Sequence, residues 1–121
     1  MNRPEQEIQI KFVEYVAHAG VSGLVVAHVP NGGKKPVHIG AIHKRLGVLA
    51  GMPDLFLFHQ GHSFALEIKA GNGRLLPSQI LTMARLREAG VNVAVAFGFD
   101  QCVEQLDAWR LTKKYVQRLT A

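Results

Sequence analysis

The sequence predicts an α/β (α+β) domain in which helices flank one central mixed sheet, and three observations carry that expectation. An apolar stripe at helical spacing opens the chain, two short apolar runs flank HQGHS in its middle, and a nearly continuous apolar run, Val91 to Phe97, follows a segment bracketed by Pro77 and Gly90. At 121 residues the length fits a single domain, 1–121, and 48% hydrophobic content supplies a small core.

Each element has its own signal. From about Glu5 to His18, residues Ile8, Phe12, Tyr15 and Val16 recur at helical spacing, with Pro4 suited to a first turn and Gly20 to a stop. Leu24 to Val29 is a β-branched run ended by Pro30; NGGKKP then reads as a basic, turn-rich loop. A short helix is expected over about Ile39 to Leu49, although Gly40 and Gly47 weaken it. Leu55–Phe58 and Phe64–Ala70 read as a hairpin with HQGHS as its loop. The Pro77–Gly90 helix and the strand after it complete a right-handed parallel crossover, which covers both faces of the sheet. Asp100 is placed to cap a last helix running through Leu106 and Trp109 and beyond.

The hairpin holds charges that a core strand does not ordinarily carry. A period of two puts Glu67 and Lys69 on one face and Phe64, Leu66 and Ile68 on the other. Pairing His59 with Phe64 sets Asp54 opposite Lys69 and diagonal to Glu67, while Leu55 and Leu57 join Ile68 and Leu66. A slip of one residue would scatter the charges and split the apolar surface. A plain Asp54–Lys69 ion pair across the strands is the competing reading of this pattern.

Fourteen Lys and Arg against nine Asp and Glu give a formal charge of +5, which suits an anionic partner such as nucleic acid. The single cysteine, Cys102, excludes an internal disulfide and a cysteine-based zinc cluster. With no charged-then-apolar leader, a reducing, cytoplasmic compartment is expected. No apolar run approaches the length of a membrane span, so no membrane partner is expected.

Two carboxylates joined by a hairpin, with a lysine two residues after the second, are what metal-assisted phosphodiester hydrolysis requires. Asp54 and Glu67 offer hard oxygen ligands to Mg²⁺ or Mn²⁺, and the Ile68 carbonyl can add a third. Lys69, on the same side of its strand, can orient or deprotonate an attacking water or stabilise the negative transition state.

With these residues the chain resembles the VRR-NUC family, a branch of the PD-(D/E)xK nuclease superfamily, from about Glu5 to Trp109. The matching pieces are E-x-x-x-Q as Glu5 and Gln9, H-V-P-N-G-G as His28 to Gly33, G-x-x-x-G-M-P-D-L as Gly47 to Leu55, E-I-K as Glu67 to Lys69, and G-R-L-x-P-x-Q as Gly73 to Gln79. An A-G pair, Ala89 and Gly90, closes the helix that follows. The resemblance implies a restriction-endonuclease-like αβββαβ core and divalent-metal-dependent, structure-selective cleavage of branched DNA of the Holliday-junction or flap type. It also implies a homodimer serving DNA repair or recombination in a bacterial or phage-type intracellular setting. A non-cleaving junction-binding module, or a nuclease acting on other DNA or RNA, are the alternatives.

Carried over residue by residue, Glu5 resembles the first-helix acid that approaches the metal, with Glu7 as its rival and a helix-dipole role as the plainer alternative. Gln9, one turn later, and His28 would support the ligands, although His28 also suits a satisfied core position. Gln79, at a helix N-terminus, resembles the family's active-site glutamine. Leu76 stands where the family commonly has Ser or Thr, so a weaker helix cap is expected there. Asn31, Lys34, Lys35, Lys44, Arg45 and Arg74 are candidates to follow a DNA backbone, with a turn role competing at Asn31. Arg85, Arg87, Lys113, Lys114 and Arg118 read instead as a solvated helix surface.

Overall fold

The computed structural model describes residues 1–30 and 37–120. Helix α1, Arg3–Ala19, starts at Asn2, whose side-chain oxygen accepts the Glu5 N–H at 2.9 Å, an N-cap followed directly by the predicted proline turn. Strand β1, Val25–His28, and helix α2, Val37–Arg45, follow. The β2 strand, Leu55–His59, turns into β3, His62–Lys69. Helix α3, Pro77–Glu88, strand β4, Asn92–Phe97, and helices α4, Phe99–Ala108, and α5, Lys113–Thr120, complete the order.

The sheet has the order β1-β2-β3-β4, antiparallel through the first three strands and parallel between β3 and β4. This is the mixed sheet expected from the sequence, with α3 as the crossover. Its register is tighter than anticipated. His59 pairs with His62 and Leu55 with Leu66, so the hairpin loop is only Gln60-Gly61 rather than HQGHS. Positive φ at both residues, 47° and 81°, is what a two-residue turn matched to the strand twist needs, and glycine takes its position without strain. The offset from the expected pairing is two residues. A two-residue shift preserves faces, so the core assignment survives while the partners change: Leu57 lies opposite Phe64, and the same register carried one residue past Leu55 sets Asp54 opposite Glu67 rather than Lys69.

One sheet face carries the core. Phe12 and Val16 from α1 and Cys102 and Leu106 from α4 close over Leu55, Leu57, Phe64, Leu66 and Ile68. Burying each of these large side chains contributes about 1.5–3 kcal/mol. Burial also pushes the Cys102 thiol up to about 12, helped by the nearby Asp54 charge, which leaves it an inert packing group. The opposite face of β3 presents Ala65, Glu67 and Lys69.

Two expectations at the C-terminal end need correcting. Gly98 rather than Asp100 is the N-cap of α4, and Asp100 sits inside the first turn, where its charge still suits the helix dipole. Nor does that helix run beyond Trp109. The chain breaks at Arg110, with φ of 64°, and restarts as α5 at a cap made by Thr112, whose hydroxyl accepts the Tyr115 N–H at 3.0 Å.

Candidate active site

The polar residues of the hairpin meet at the C-terminal end of β3. Asp54, Glu67 and Lys69 are only 6%, 2% and 7% exposed, a burial that charged groups tolerate only when paired or ligated. The Asp54 side chain is fixed by the Ile68 N–H, which donates to Oδ2 at 2.7 Å. Its backbone carbonyl accepts the Val29 N–H at 2.9 Å, which ties it to the end of β1.

Strand alternation determines what Ile68 has left to offer. The Lys69 carbonyl accepts the Gly98 N–H on the β4 side, so Ile68 turns both its N–H and its carbonyl toward β2. Extending the ladder by its register sets Pro53 opposite Ile68, and proline has no N–H to donate. The proline of the Pro-Asp pair therefore leaves the Ile68 carbonyl free of a ladder bond beside Asp54.

Gln79 reaches the site from α3. Leu76, at the N-cap, supplies no side-chain acceptor, as expected, but Gln79 takes part of that role: its Oε1 accepts the Leu76 N–H at 2.8 Å. With its oxygen so engaged, its amide nitrogen points to the Glu67 carboxylate, at 3.4 and 3.5 Å from the two oxygens. The backbone before β2 closes against this helix. The Thr82 hydroxyl donates to the Ala50 carbonyl at 2.7 Å, and at Gly51, with φ of 77°, a Cβ would stand 2.2 Å from the Ser78 carbonyl oxygen. Only glycine permits that approach.

Helix α1 distinguishes the two rival acids. Glu5 shares the buried stripe of Phe12 and Val16 and lines the same cleft as Asp54 and Glu67, whereas Glu7 faces solvent and pairs with Arg3 at 3.3 Å. Gln9, one turn after Glu5, lies with its Nε2 at 3.0 Å from His28 Nδ1, and that ring nitrogen is 2.9 Å from the Asp54 carbonyl oxygen. With the proton on Nδ1, His28 donates to the carbonyl; in the other tautomer Nδ1 accepts from the Gln9 amide. His28 is an exposed bridge from α1 to the strand end rather than a core histidine.

Burial is the largest influence on Glu67, followed by its hydrogen bond with Asp54 and the Asp54 charge. Lys69 acts in the opposite sense, Glu5 adds to the rise, and the carboxyl is pushed up to about 9. The raised carboxyl of Glu67 is hydrogen-bonded with Asp54. The oxygens of Asp54 and Glu67, with the Ile68 carbonyl alongside, fit a hard divalent cation. Among the described residues no three His, Cys, Asp or Glu side chains group closely enough to hold an ion. Glu5 lines the same cleft, and its charge adds to the rise at Glu67.

These groups form the floor of a cleft of about 1120 Å³. Lys44 and Arg74 line it, and Arg45 is an exposed residue outside that lining. Asn31, Lys34 and Lys35 lie outside the described residues. The cleft also takes in His43, which the sequence reading did not single out. Gly40, His43, Lys44 and Gly47 follow the i, i+3, i+4, i+7 spacing of one helix face, a signal that could have identified it. Two of the other basic residues are engaged elsewhere: Arg118 with Asp107 at 2.9 Å, Lys113 with the His18 carbonyl at 3.0 Å.

No curated protein matches the sequence. Among solved structures, a VRR-NUC domain protein superposes with a TM-score of 0.72 at 27% identity, covering 89% of this chain and 88% of its own. A second VRR-NUC domain gives 0.60 at 22% identity, covering 88% and 97%. The Holliday junction resolvase Hjc of Archaeoglobus fulgidus gives 0.49 at 14% identity, covering 77% and 67%. The family model of the VRR-NUC domain matches residues 3–100, which include every acid of the cleft floor as well as Lys69 and Gln79. The chain belongs to the VRR-NUC domain family, a family of nuclease domains.

Proposed function

We propose that the protein is a Mg²⁺- or Mn²⁺-dependent endodeoxyribonuclease that hydrolyses phosphodiester bonds in branched DNA. The observation that carries this reading is the pair of buried carboxyls, Asp54 and Glu67, set beside Lys69 on the floor of a cleft with cationic walls. Asp54 and Glu67, with the Ile68 carbonyl, would hold the ion, and Gln79 and the Ile68 N–H keep the two carboxylates aimed at the same point. When bound, such an ion eases deprotonation of water and neutralises charge building on the phosphoryl oxygens. Lys69 then orients the attacking water, accepts its proton, or stabilises the extra negative charge at phosphorus. Water adds to phosphorus and one ester P–O bond breaks, which leaves a phosphate monoester and a hydroxyl.

Lys44 and Arg74 hold backbone phosphates over the site, and Arg45, Asn31, Lys34 and Lys35 are further candidates for contact with the DNA backbone. These contacts read backbone shape rather than base sequence, which favours branched substrates. Two symmetric cuts across a junction need two sites, which a homodimer supplies. A module that only held DNA would gain nothing from buried acids that repel phosphate.

The test compares cleavage of four-way junction, flap, duplex and single-stranded DNA in Mg²⁺, in Mn²⁺ and in chelator. The expected result is metal-dependent cutting that is fastest on branched forms and lost in Asp54→Asn. Cutting in chelator would refute the metal role, and equal rates on all four forms would refute the selectivity.

A further inference from the structure

We propose that the loop before β2 is an apolar wedge that stacks on unpaired bases at a discontinuity in the bound nucleic acid; this rests on the nuclease reading and names how its substrate is recognised. The segment LGVLAGM, residues 46–52, contains no polar side chain, although it lies on the surface. Leu46 is 75% exposed, Val48 and Leu49 are also exposed, and Leu76, on the same cleft as Val48 and Leu49, is 58% exposed. Surface loops are ordinarily polar, and clustered apolar side chains rimmed by charge mark a binding surface.

The backbone holds this loop at both ends. At the first, α2 closes with a left-handed Gly47 cap in which the Val48 N–H donates to the His43 carbonyl at 2.9 Å and the Gly47 N–H to the Lys44 carbonyl at 3.1 Å. In such caps the residue after the glycine normally packs back on its helix. Val48 instead stays half exposed. At the second end, Thr82 and the close approach of Gly51 to Ser78 hold the chain against α3, the helix that carries Gln79. The apolar tips are thus fixed relative to the carboxylates.

Charge selects the occupant. Lys44 and Arg45 precede the loop directly, and Arg74 stands on the same cleft. A second copy docked here about a two-fold axis would set these cations against their own images. A polyanion with apolar faces suits both features, and nucleic acid offers such faces where its bases are unstacked, as at a branch point. Aliphatic side chains inserted at base steps are an established way to hold such a site.

The test uses the full chain with a four-way junction carrying 2-aminopurine at the branch point, which brightens when unstacked. Wild type should brighten it, whereas the Leu46→Ser/Val48→Ser double variant should abolish the rise and cut the junction at least ~10-fold more slowly at unchanged melting temperature. Leu119→Ser, at another exposed apolar residue in α5, should behave as wild type. An undiminished rise in the double variant would overturn the wedge, as would light scattering that shows the same variant turning a dimer into monomers. A wild type that brightens the probe yet cuts no DNA in Mg²⁺ or Mn²⁺ would refute the nuclease reading while keeping the wedge.

Discussion

At the scale of single residues, the account turns on the proton that Glu67 holds. Its carboxyl is pushed from 4.5 up to about 9 in the folded protein, so between those values the folded state keeps a proton that the unfolded chain has released. The stability that this proton contributes is fully present below 4.5 and is lost as pH rises toward 9. Thermal melting of wild type in chelator should therefore fall across that window, and Glu67→Gln, which cannot ionise, should flatten the fall. Addition of Mn²⁺ should raise the melting temperature of wild type and leave that of Glu67→Gln almost unchanged, since an ion that binds only the folded state stabilises it. Gln79 offers a second test. Gln79→Glu keeps an oxygen for the Leu76 N–H but loses the amide that faces Glu67, so α3 should stay as stable while cleavage drops by ~10- to 100-fold. Equal loss of helix stability and activity would make Gln79 a cap and nothing more. That Asp54, Glu67 and Lys69 belong together was legible in the sequence, because charges inside apolar strands demand an explanation. That Glu5 rather than Glu7 faces them was not, since both are surface-compatible acids until the α1 stripe is docked on the sheet.

At the scale of elements, the hairpin shows what pattern determines and what it leaves open. Alternation of Leu55, Leu57, Phe64 and Leu66 determined which face is buried, and that part of the reading holds in the structure. Alternation cannot distinguish registers two residues apart, because both keep every side chain on its face. The turn decides between them: Gln60 and Gly61 accept positive φ, and the shorter loop brings Asp54 opposite Glu67. Gln60→Asn, a residue better suited to that conformation, should stabilise the protein by a few tenths of a kcal/mol in chemical denaturation, and a loss would contradict the turn assignment. The break between α4 and α5 is hidden in the sequence for a similar reason. No proline marks it, and only the Thr112 cap and the turn at Arg110 reveal it. Gly51→Ala should cost about 1–3 kcal/mol, because the new Cβ meets the α3 backbone and φ is positive. It should slow cleavage as well, since it pushes on the turn that carries Gln79.

At the scale of the whole molecule, the same sheet serves two ends. Helices α1 and α4 cover one face to make the core, and the other face, between α3 and the loop before β2, opens into the cleft. Charge follows the same division, with the acids on the floor and Lys44 and Arg74 on the walls. Among the described residues no helix is long and apolar enough to cross a membrane. The most direct test of the central claim is single-turnover cleavage of an end-labelled four-way junction in Mn²⁺, wild type against Lys69→Ala at equal folded concentration. The account predicts a wild type that cuts and a variant slower by ~10²-fold or more, with junction binding retained. Equal rates for the two proteins would contradict it.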